Sequence, residues 1–532
     1  MRTALPGFAA ACLAVPAGAQ ELVYAFEGDS TGDRLGSAVA GVGDLSGDGH
    51  PDLLVGSFGD DIRQVRAFSG ADGSFLFALN GLAPGDQFGR YLDGVGDLDL
   101  DGFGDFAVTA PAADYTRVYS GQTRAVMFHW DVPSWRVTGG GDVNGDGTAD
   151  VVVGSGNPNS EARALSGLDG SLIHLWSGPW SFGSTVAIVG DVDADGYDDV
   201  AVSSVVETGT AGFEAGRVRV FSGRDGSLIH LLEGIDEYHW FGAEVAGAGD
   251  VDADGHDDVI VLAEIEHLFS WDAPYVRVFS GLDASVLHHF TYPNCYGLRG
   301  ALRGAGDVDG DGRDDFFVGG ETGCDGDEFL TLYSGLDGSP IYTISSYPSS
   351  GSLDLAGDVD GDGIDDFVLG REYDSPNGTY SGRAEVRRVL CALPPASYCV
   401  GAPNSAGPGA SIGWSGPQSV GANQAALTAD GCPAAAFGVF YYGPQQIQVP
   451  FGDGFRCVGG GGTGTFRLNP PIQTDGNGSV VRALDFDQPP MDAGPGAVQA
   501  GDTWNFQYWY RDVPAGLSGF NLTDGIAVAF CP

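Results

Sequence analysis

Seven short stretches of this 532-residue chain set carboxylates at alternate positions around a glycine. They read GDLSGDGHPD from Gly43, GDLDLDGFGD from Gly96, GDVNGDGTAD from Gly141 and GDVDADGYDD from Gly190. GDVDADGHDD from Gly249, GDVDGDGRDD from Gly306 and GDVDGDGIDD from Gly357 complete the set. Carboxylates crowded in this way repel one another unless a cation sits among them. A calcium ion takes about six to eight hard oxygens at roughly 2.3–2.6 Å. Counting from the first aspartate, positions 1, 3 and 5 can offer side-chain oxygens, position 7 its backbone carbonyl and position 9 a last carboxylate. The glycine at position 6 permits the sharp turn that wraps the chain round an ion.

The ligand sets expected on this pattern are as follows. The first loop offers Asp44, Ser46, Asp48, His50 and Asp52, and the second Asp97, Asp99, Asp101, Phe103 and Asp105. The third offers Asp142, Asn144, Asp146, Thr148 and Asp150, and the fourth Asp191, Asp193, Asp195, Tyr197 and Asp199. The fifth offers Asp250, Asp252, Asp254, His256 and Asp258, and the sixth Asp307, Asp309, Asp311, Arg313 and Asp315. The seventh offers Asp358, Asp360, Asp362, Ile364 and Asp366. Position 7 enters through its carbonyl alone. Up to seven Ca²⁺ are expected, with the Ser46 loop the weakest site.

The elements that hold these loops can be read from their flanks. An EF-hand would need helices on both sides and a glutamate at position 12. Here the loops precede DLLVG, DFAVT, DVVVG and DDVIV, short β-branched runs that read as strands. The loops recur at intervals of 53, 45, 49, 59, 57 and 51 residues, a period that points to a propeller or other array. A second repeat follows each of the first six loops: VRAFSGADGS, RVYSGQTRA, RALSGLDGS, RVFSGRDGS, RVFSGLDAS and TLYSGLDGS. Each reads as strand, tight turn, strand, with Ser-Gly and, in four of the six, Asp-Gly at the turn. The seventh unit lacks a fourth strand. ELVYAFEGDS at residues 21–30 has the fourth-strand pattern of SLIHLLEGID at 227–236. Leu22–Phe26 is therefore expected to close a ring of seven four-stranded blades, which removes open sheet edges.

Composition bounds the function. There are 24 Lys+Arg against 72 Asp+Glu, and all 24 are arginine. That excludes lysine Schiff-base chemistry and a P-loop lysine. The negative field disfavours nucleic acid and anionic membrane surfaces. MRTALPGFAAACLAVPAGAQ reads as a secretory signal over residues 1–19, with Ala17-Gly18-Ala19 at the cleavage site. The expected locations are thus secreted, cell-surface or periplasmic, without membrane insertion. Cys12 leaves with the signal, and the remaining seven cysteines in an oxidising compartment favour disulfides.

FGSTVAIVGDVDADGYDDVAVSS (182–204) and FGAEVAGAGDVDADGHDDVIVLA (241–263) resemble FG-GAP repeats, the calcium-loop blades of the integrin α-subunit head. The resemblance covers residues 21–390 and implies a propeller, calcium and a binding role. There are departures from it: SWRVTGGG in blade 3 and SGSLDLAG in blade 7 replace the FG-bearing strand. Adhesion to an integrin β subunit therefore does not follow.

The calcium loops share one face, so the 2–3 and 4–1 loops occupy the other. Those loops carry Trp130, Trp180, Tyr238, Trp240, Trp271, Tyr292 and Tyr347 as candidate ligand contacts, beside Trp135, Phe269, Tyr296 and Tyr373. Cys295 and Cys324, on the same face of one blade, are expected to form a disulfide. His174, His230 and His288 repeat one fourth-strand position, which argues for structure rather than catalysis.

The propeller is expected over 20–390, a linker over 391–398 and a small β-sandwich-like domain over 399–532. IQVPFG, FRLNP, TWNFQYWYRD and GIAVAF read as strands of that domain. Cys399, Cys432, Cys457 and Cys531 allow two bridges in three connectivities, with Cys391 the odd one. FYYGPQQIQVPFGDGFRCVGG and TWNFQYWYRD resemble C-terminal modules of exported planctomycete proteins, which implies no activity. The expected function is recognition or adhesion of a glycan or protein ligand on the loop face. The alternatives are a polysaccharide lyase or hydrolase using that face and a purely structural surface component.

Overall fold

The computed structural model describes residues 22–388 apart from 60–62, 157, 265–272, 293–296, 309–310, 323–326, 346–351, 360 and 362–364. It also describes residues 395–530 apart from 417, 419, 421–422, 424, 487, 500–501 and 514–517. Among the described residues there is no α-helix, and two short 3₁₀ turns are the only helical pieces. The chain divides into two compact units, and the described residues from 395 onward belong to the second.

The first unit contains seven four-stranded antiparallel sheets. Six are consecutive in sequence, and the seventh takes Leu22–Glu27 as its outer strand beside Arg383–Arg387. In blade 4 the strands are Phe182–Ile188, Val200–Ser204, Arg217–Phe221 and Leu228–Glu233. Second strands such as Asp150–Gly154 and Val200–Ser204 are buried throughout, so their sequences are continuous apolar runs. Fourth strands alternate, as the outer edge of a blade must: Leu172–Ser177 exposes Leu172 and Leu175 and buries Trp176. Leu22–Glu27 has the same burial pattern, with Phe26 in the buried place.

The ring closes. The first strands of successive blades touch in turn, and that of blade 7, Leu353–Gly357, touches Leu35–Gly41 of blade 1. Phe26 stacks on Phe68 of blade 1 with centroids 4.0 Å apart. Side chains also meet across the axis. Arg136 of blade 3 pairs with Glu244 of blade 5 at 3.5 Å, although blade 4 lies between them in sequence. Arg303 of blade 6 holds Asp354 of blade 7 at 2.6 Å. Burial and the neighbouring Asp354 push Asp93 of blade 2 up to about 7. Phe26→Ala should lower stability by ~3–4 kcal/mol through a cavity at the closing seam. The exposed neighbour Leu22→Ala should change it by less than ~0.5 kcal/mol in the same urea titration.

The second unit is a β domain of two larger sheets and a two-stranded one, Gln445–Phe451 with Gly454–Gly459. One sheet runs Ala396–Tyr398, Gly525–Ala529, Thr503–Arg511, Phe437–Gly443, Phe466–Gln473, with Phe520–Leu522 beside Thr503–Arg511. The other is Ser411–Ser415, Ala426–Asp430 and Val480–Ala483. Trp504, Phe506, Tyr508 and Tyr510 enter the core between them. The alternate residues Asn505 and Gln507 are buried too. Gln507 is fully engaged: it accepts from Cys457 N at 2.9 Å and from the Tyr441 hydroxyl, and donates to the Phe455 and Thr523 carbonyls at 2.9 and 2.7 Å.

Cys399 bonds to Cys457. The expectation of two bridges is corrected at Cys432, which is a buried free thiol. Burial pushes that thiol up to about 12, so it behaves as a core residue. Cys391 and Cys531 lie outside the described residues, as do Cys295 and Cys324 with their expected bridge.

Candidate metal centre

Each acidic loop turns between the first two strands of its blade. In blade 4, Asp191 folds the loop round itself: Oδ1 accepts from Asp195 N at 2.9 Å and Oδ2 from Gly196 N at 2.8 Å. Gly196 has φ +90°, and the five other described position-6 glycines lie between +87° and +92°. A side chain there would be strained, which explains the invariance across the repeats. Position 4 is left-handed as well, and here Leu100, Ala194 and Ala253 accept φ near +57°.

Asp199 anchors the other end. Its Oδ2 accepts from Val192 N at 2.9 Å and its Oδ1 from Gly223 N at 2.9 Å. Gly223 belongs to the Ser-Gly turn of the second repeat, so this carboxylate joins the two sequence motifs. The same bond recurs from Gly70 to Asp52, Gly121 to Asp105, Gly167 to Asp150, Gly281 to Asp258 and Gly335 to Asp315, at 2.9–3.0 Å. All seven position-9 aspartates, Asp366 included, are fully buried.

The donor set fits a hard divalent cation. Asp191, Asp193 and Asp199 each bring an oxygen within 4.8 Å of the others. Asp97, Asp99 and Asp101 do so in blade 2, and Asp250, Asp252 and Asp254 in blade 5. Asp252 Oδ1 is buried without a hydrogen-bond donor, as suits an oxygen that faces an ion. All of these donors are oxygens, the preference of Ca²⁺ and Mg²⁺. Of the sixth and seventh ligand sets, Asp309, Asp360, Asp362 and Ile364 lie outside the described residues.

Burial first, then the acids at positions 1, 3 and 5, raise the position-9 carboxyls of the chain on its own. Asp199 and Asp258 reach about 7, and Asp105 and Asp150 about 6. Between the ordinary carboxyl value and these raised values the folded chain binds more protons than the unfolded chain. Stability in EDTA should therefore fall as pH rises from about 4 to about 7. Saturating calcium should weaken or reverse that slope, since the ion binds carboxylates. Urea midpoints across this pH range, with and without calcium, check both signs.

Position-7 side chains reach the preceding loop, a role that sequence reasoning did not assign. His256 Nδ1 lies 2.8 Å from the Val192 carbonyl, and Arg313 Nη1 donates to the Val251 carbonyl at 3.2 Å. The Tyr197 ring lies so close to Gly145 that a Cβ there would fall 2.4 Å from it. The repeated histidines are likewise structural: Nε2 of His174, His230 and His288 meets the Gly223, Gly281 and Gly335 carbonyls of the next blade.

On the opposite face the aromatics divide. Two candidates are packed. Trp130 ends a strand rather than standing in a loop, and its indole N–H donates to the Gly170 carbonyl of blade 3 at 3.0 Å. Tyr292 is buried, with its ring 5.3 Å from Phe329. Both fill space inside the ring of blades and are withdrawn as ligand contacts. Trp271 and Tyr347 lie outside the described residues.

Trp180 is 65% exposed. Tyr238 and Trp240 are half-buried and meet the 2–3 loop of blade 4. Tyr238 N donates to the Phe213 carbonyl at 2.9 Å, and the Trp240 indole N–H to Glu214 Oε2 at 3.2 Å. The Phe213 and Tyr238 rings are 5.6 Å apart, and Phe213 is 53% exposed. Glu214, Tyr238 and Trp240 all take positive φ, at 50°, 61° and 37°. Such strain persists only where surrounding contacts enforce it. Phe213 was missed in the sequence, although it is the single aromatic of the glycine-rich loop VETGTAGFEAG.

Comparison with known proteins agrees with this architecture. The FG-GAP repeat model matches residues 134–165. That stretch is blade 3, which lacks the FG dipeptide, so the loop and its strands carry the match. Integrin alpha-V of Gallus gallus is 28% identical over 235 residues, covering 38% of this chain and 22% of its own length. Integrin alpha-5 of Xenopus laevis is 32% identical over 222 residues, covering 34% and 20%. The chain thus spans about a fifth of the length of these relatives. Among the described residues no helix is long and apolar enough to cross a membrane. With its repeated acidic loops and its ring of four-stranded blades, the chain is a β-propeller that carries an FG-GAP repeat at residues 134–165 and is similar over about a third of its length to integrin α subunits.

Proposed function

We propose that the protein is an exported, calcium-binding propeller that works as a recognition or adhesion module for a glycan or protein ligand. Up to seven Ca²⁺ brace one face, and the ligand binds the other. The observation that carries this reading is the surface built by Phe213, Tyr238 and Trp240. Two loops, joined by hydrogen bonds and held in strained backbone, keep partly exposed aromatics on a rigid frame. Stiff aromatic contact area of this kind loses little entropy on binding. Trp180, on the same face, adds an exposed indole. The similarity to integrin α subunits favours recognition over catalysis.

The test is binding of the purified chain to an immobilised glycan panel and an extracellular-matrix protein panel. A Phe213→Ala/Tyr238→Ala double variant should lose at least about tenfold in affinity, the scale of a hot-spot aromatic. Its calcium-dependent melting should be unchanged. Binding that survives the double variant would exclude this surface as the ligand site.

A further inference from the structure

Position 8 of the loops has no place in the ligand pattern, yet it is aspartate in blades 4 to 7 and Pro51, Gly104 and Ala149 in blades 1 to 3. In three of the aspartate blades it reaches the loop before it. Asp198 Oδ2 accepts from Asp142 N at 2.7 Å, Asp257 Oδ2 from Asp191 N at 2.8 Å, and Asp314 Oδ2 from Asp250 N at 2.9 Å. The backbone answers each bond. Asp198 N donates to the Asp142 carbonyl at 3.2 Å, Asp257 N to Asp191 at 3.3 Å, and Asp314 N to Asp250 at 3.2 Å. Each pair is a closed two-bond clasp between position 8 of one blade and position 1 of the preceding blade. Gly104 keeps only the backbone half, from its N–H to the Asp44 carbonyl at 3.1 Å.

We propose that Asp198, Asp257 and Asp314 are positioning residues that couple neighbouring calcium loops, so that the ions of blades 3 to 6 bind as a linked set. The inference rests on the calcium reading above. Position 1 is a ligand of its own loop, and position 8 is covalently next to position 9, a ligand of the next loop. An ion that orders position 1 of one blade therefore also fixes position 8, and through it position 9, of the following blade. The second ion then finds a loop whose ordering entropy is already lost, which is positive coupling. Tyr197, His256 and Arg313 add contacts at the same three junctions, reaching Gly145, Val192 and Val251. Blades 1 and 2, without a position-8 carboxylate, serve as an internal control.

The test is hydrogen exchange of the full chain across a calcium titration. Asp193→Ala removes a ligand from the blade 4 site. It should raise the calcium concentration that protects loops 142–150 and 250–258 by about fivefold or more, the lower end of allosteric coupling. Loop 44–52 should not respond. With Asp198→Ala added, loop 142–150 should lose its response while loop 250–258, still clasped by Asp257, keeps it. Asp198→Asn, which retains an acceptor without the charge, should restore part of the response and also serves if the alanine variant folds poorly. Loops 142–150 and 250–258 that protect at the same calcium concentration with or without Asp193 would overturn the coupling while leaving calcium binding intact. If no loop gains protection from calcium in the unmutated chain, the calcium reading fails and the coupling falls with it.

Discussion

Asp199→Ala is expected to lower stability in EDTA by ~3 kcal/mol, because two buried donors lose their acceptor at once. Gly223 N and Val192 N both bond this carboxylate at 2.9 Å, and both residues are buried. Leaving a buried donor unsatisfied costs about 1–3 kcal/mol each. Part of the loss is offset, since burial already makes the ionised form unfavourable. Asp199→Asn should therefore be milder in EDTA than alanine, yet like alanine lack the blade 4 share of the calcium response, about 1.4 kcal/mol. Asp193→Ala should change little in EDTA, because that side chain is exposed. Urea denaturation of the three variants, with and without calcium, separates anchoring from ion binding.

Calcium itself is expected to have the largest effect. At free calcium ten times the dissociation constant, each occupied site stabilises the fold by about 1.4 kcal/mol. Seven sites acting together approach roughly 10 kcal/mol, comparable with the whole stability of an ordinary domain. Chelation should lower the melting temperature of the propeller by more than about 10 °C. The second unit, whose core is apolar and whose Cys399–Cys457 bridge needs no ion, should melt unchanged. Differential scanning calorimetry with EDTA and with millimolar calcium reads both transitions.

The repeats made most of the propeller legible. Seven acidic loops in register gave its period, and the missing fourth strand of blade 7 directed attention to Leu22–Glu27, which pairs Phe26 with Ala384. What stayed hidden depends on side-chain direction between blades. A second aspartate after position 7 reads as solvent-facing charge until its partner, the Asp142 or Asp191 N–H, is placed beside it. Trp130 and Tyr292 read as loop aromatics because aromatic residues at strand ends look alike whether they face a ligand or a neighbouring blade. Arg136 and Glu244 meet across the axis, 108 residues apart, and no local pattern links them. In the second unit, SIGWS and ALTAD lack the β-branched runs that mark a strand, and tertiary packing decides their state. Cys432 shows the limit of counting cysteines: spacing permits a bridge, and only burial reveals a thiol that stays single.

As calcium sites, the acidic loops would brace one face and leave the other free to recognise a ligand. Counting bound calcium tests it most directly, by equilibrium dialysis of the metal-stripped chain followed by atomic emission. A stoichiometry approaching the seven loops of the sequence is expected, with bound ions lost on chelation in step with the propeller transition. A stoichiometry near zero, or a propeller that melts at one temperature with and without calcium, would contradict it.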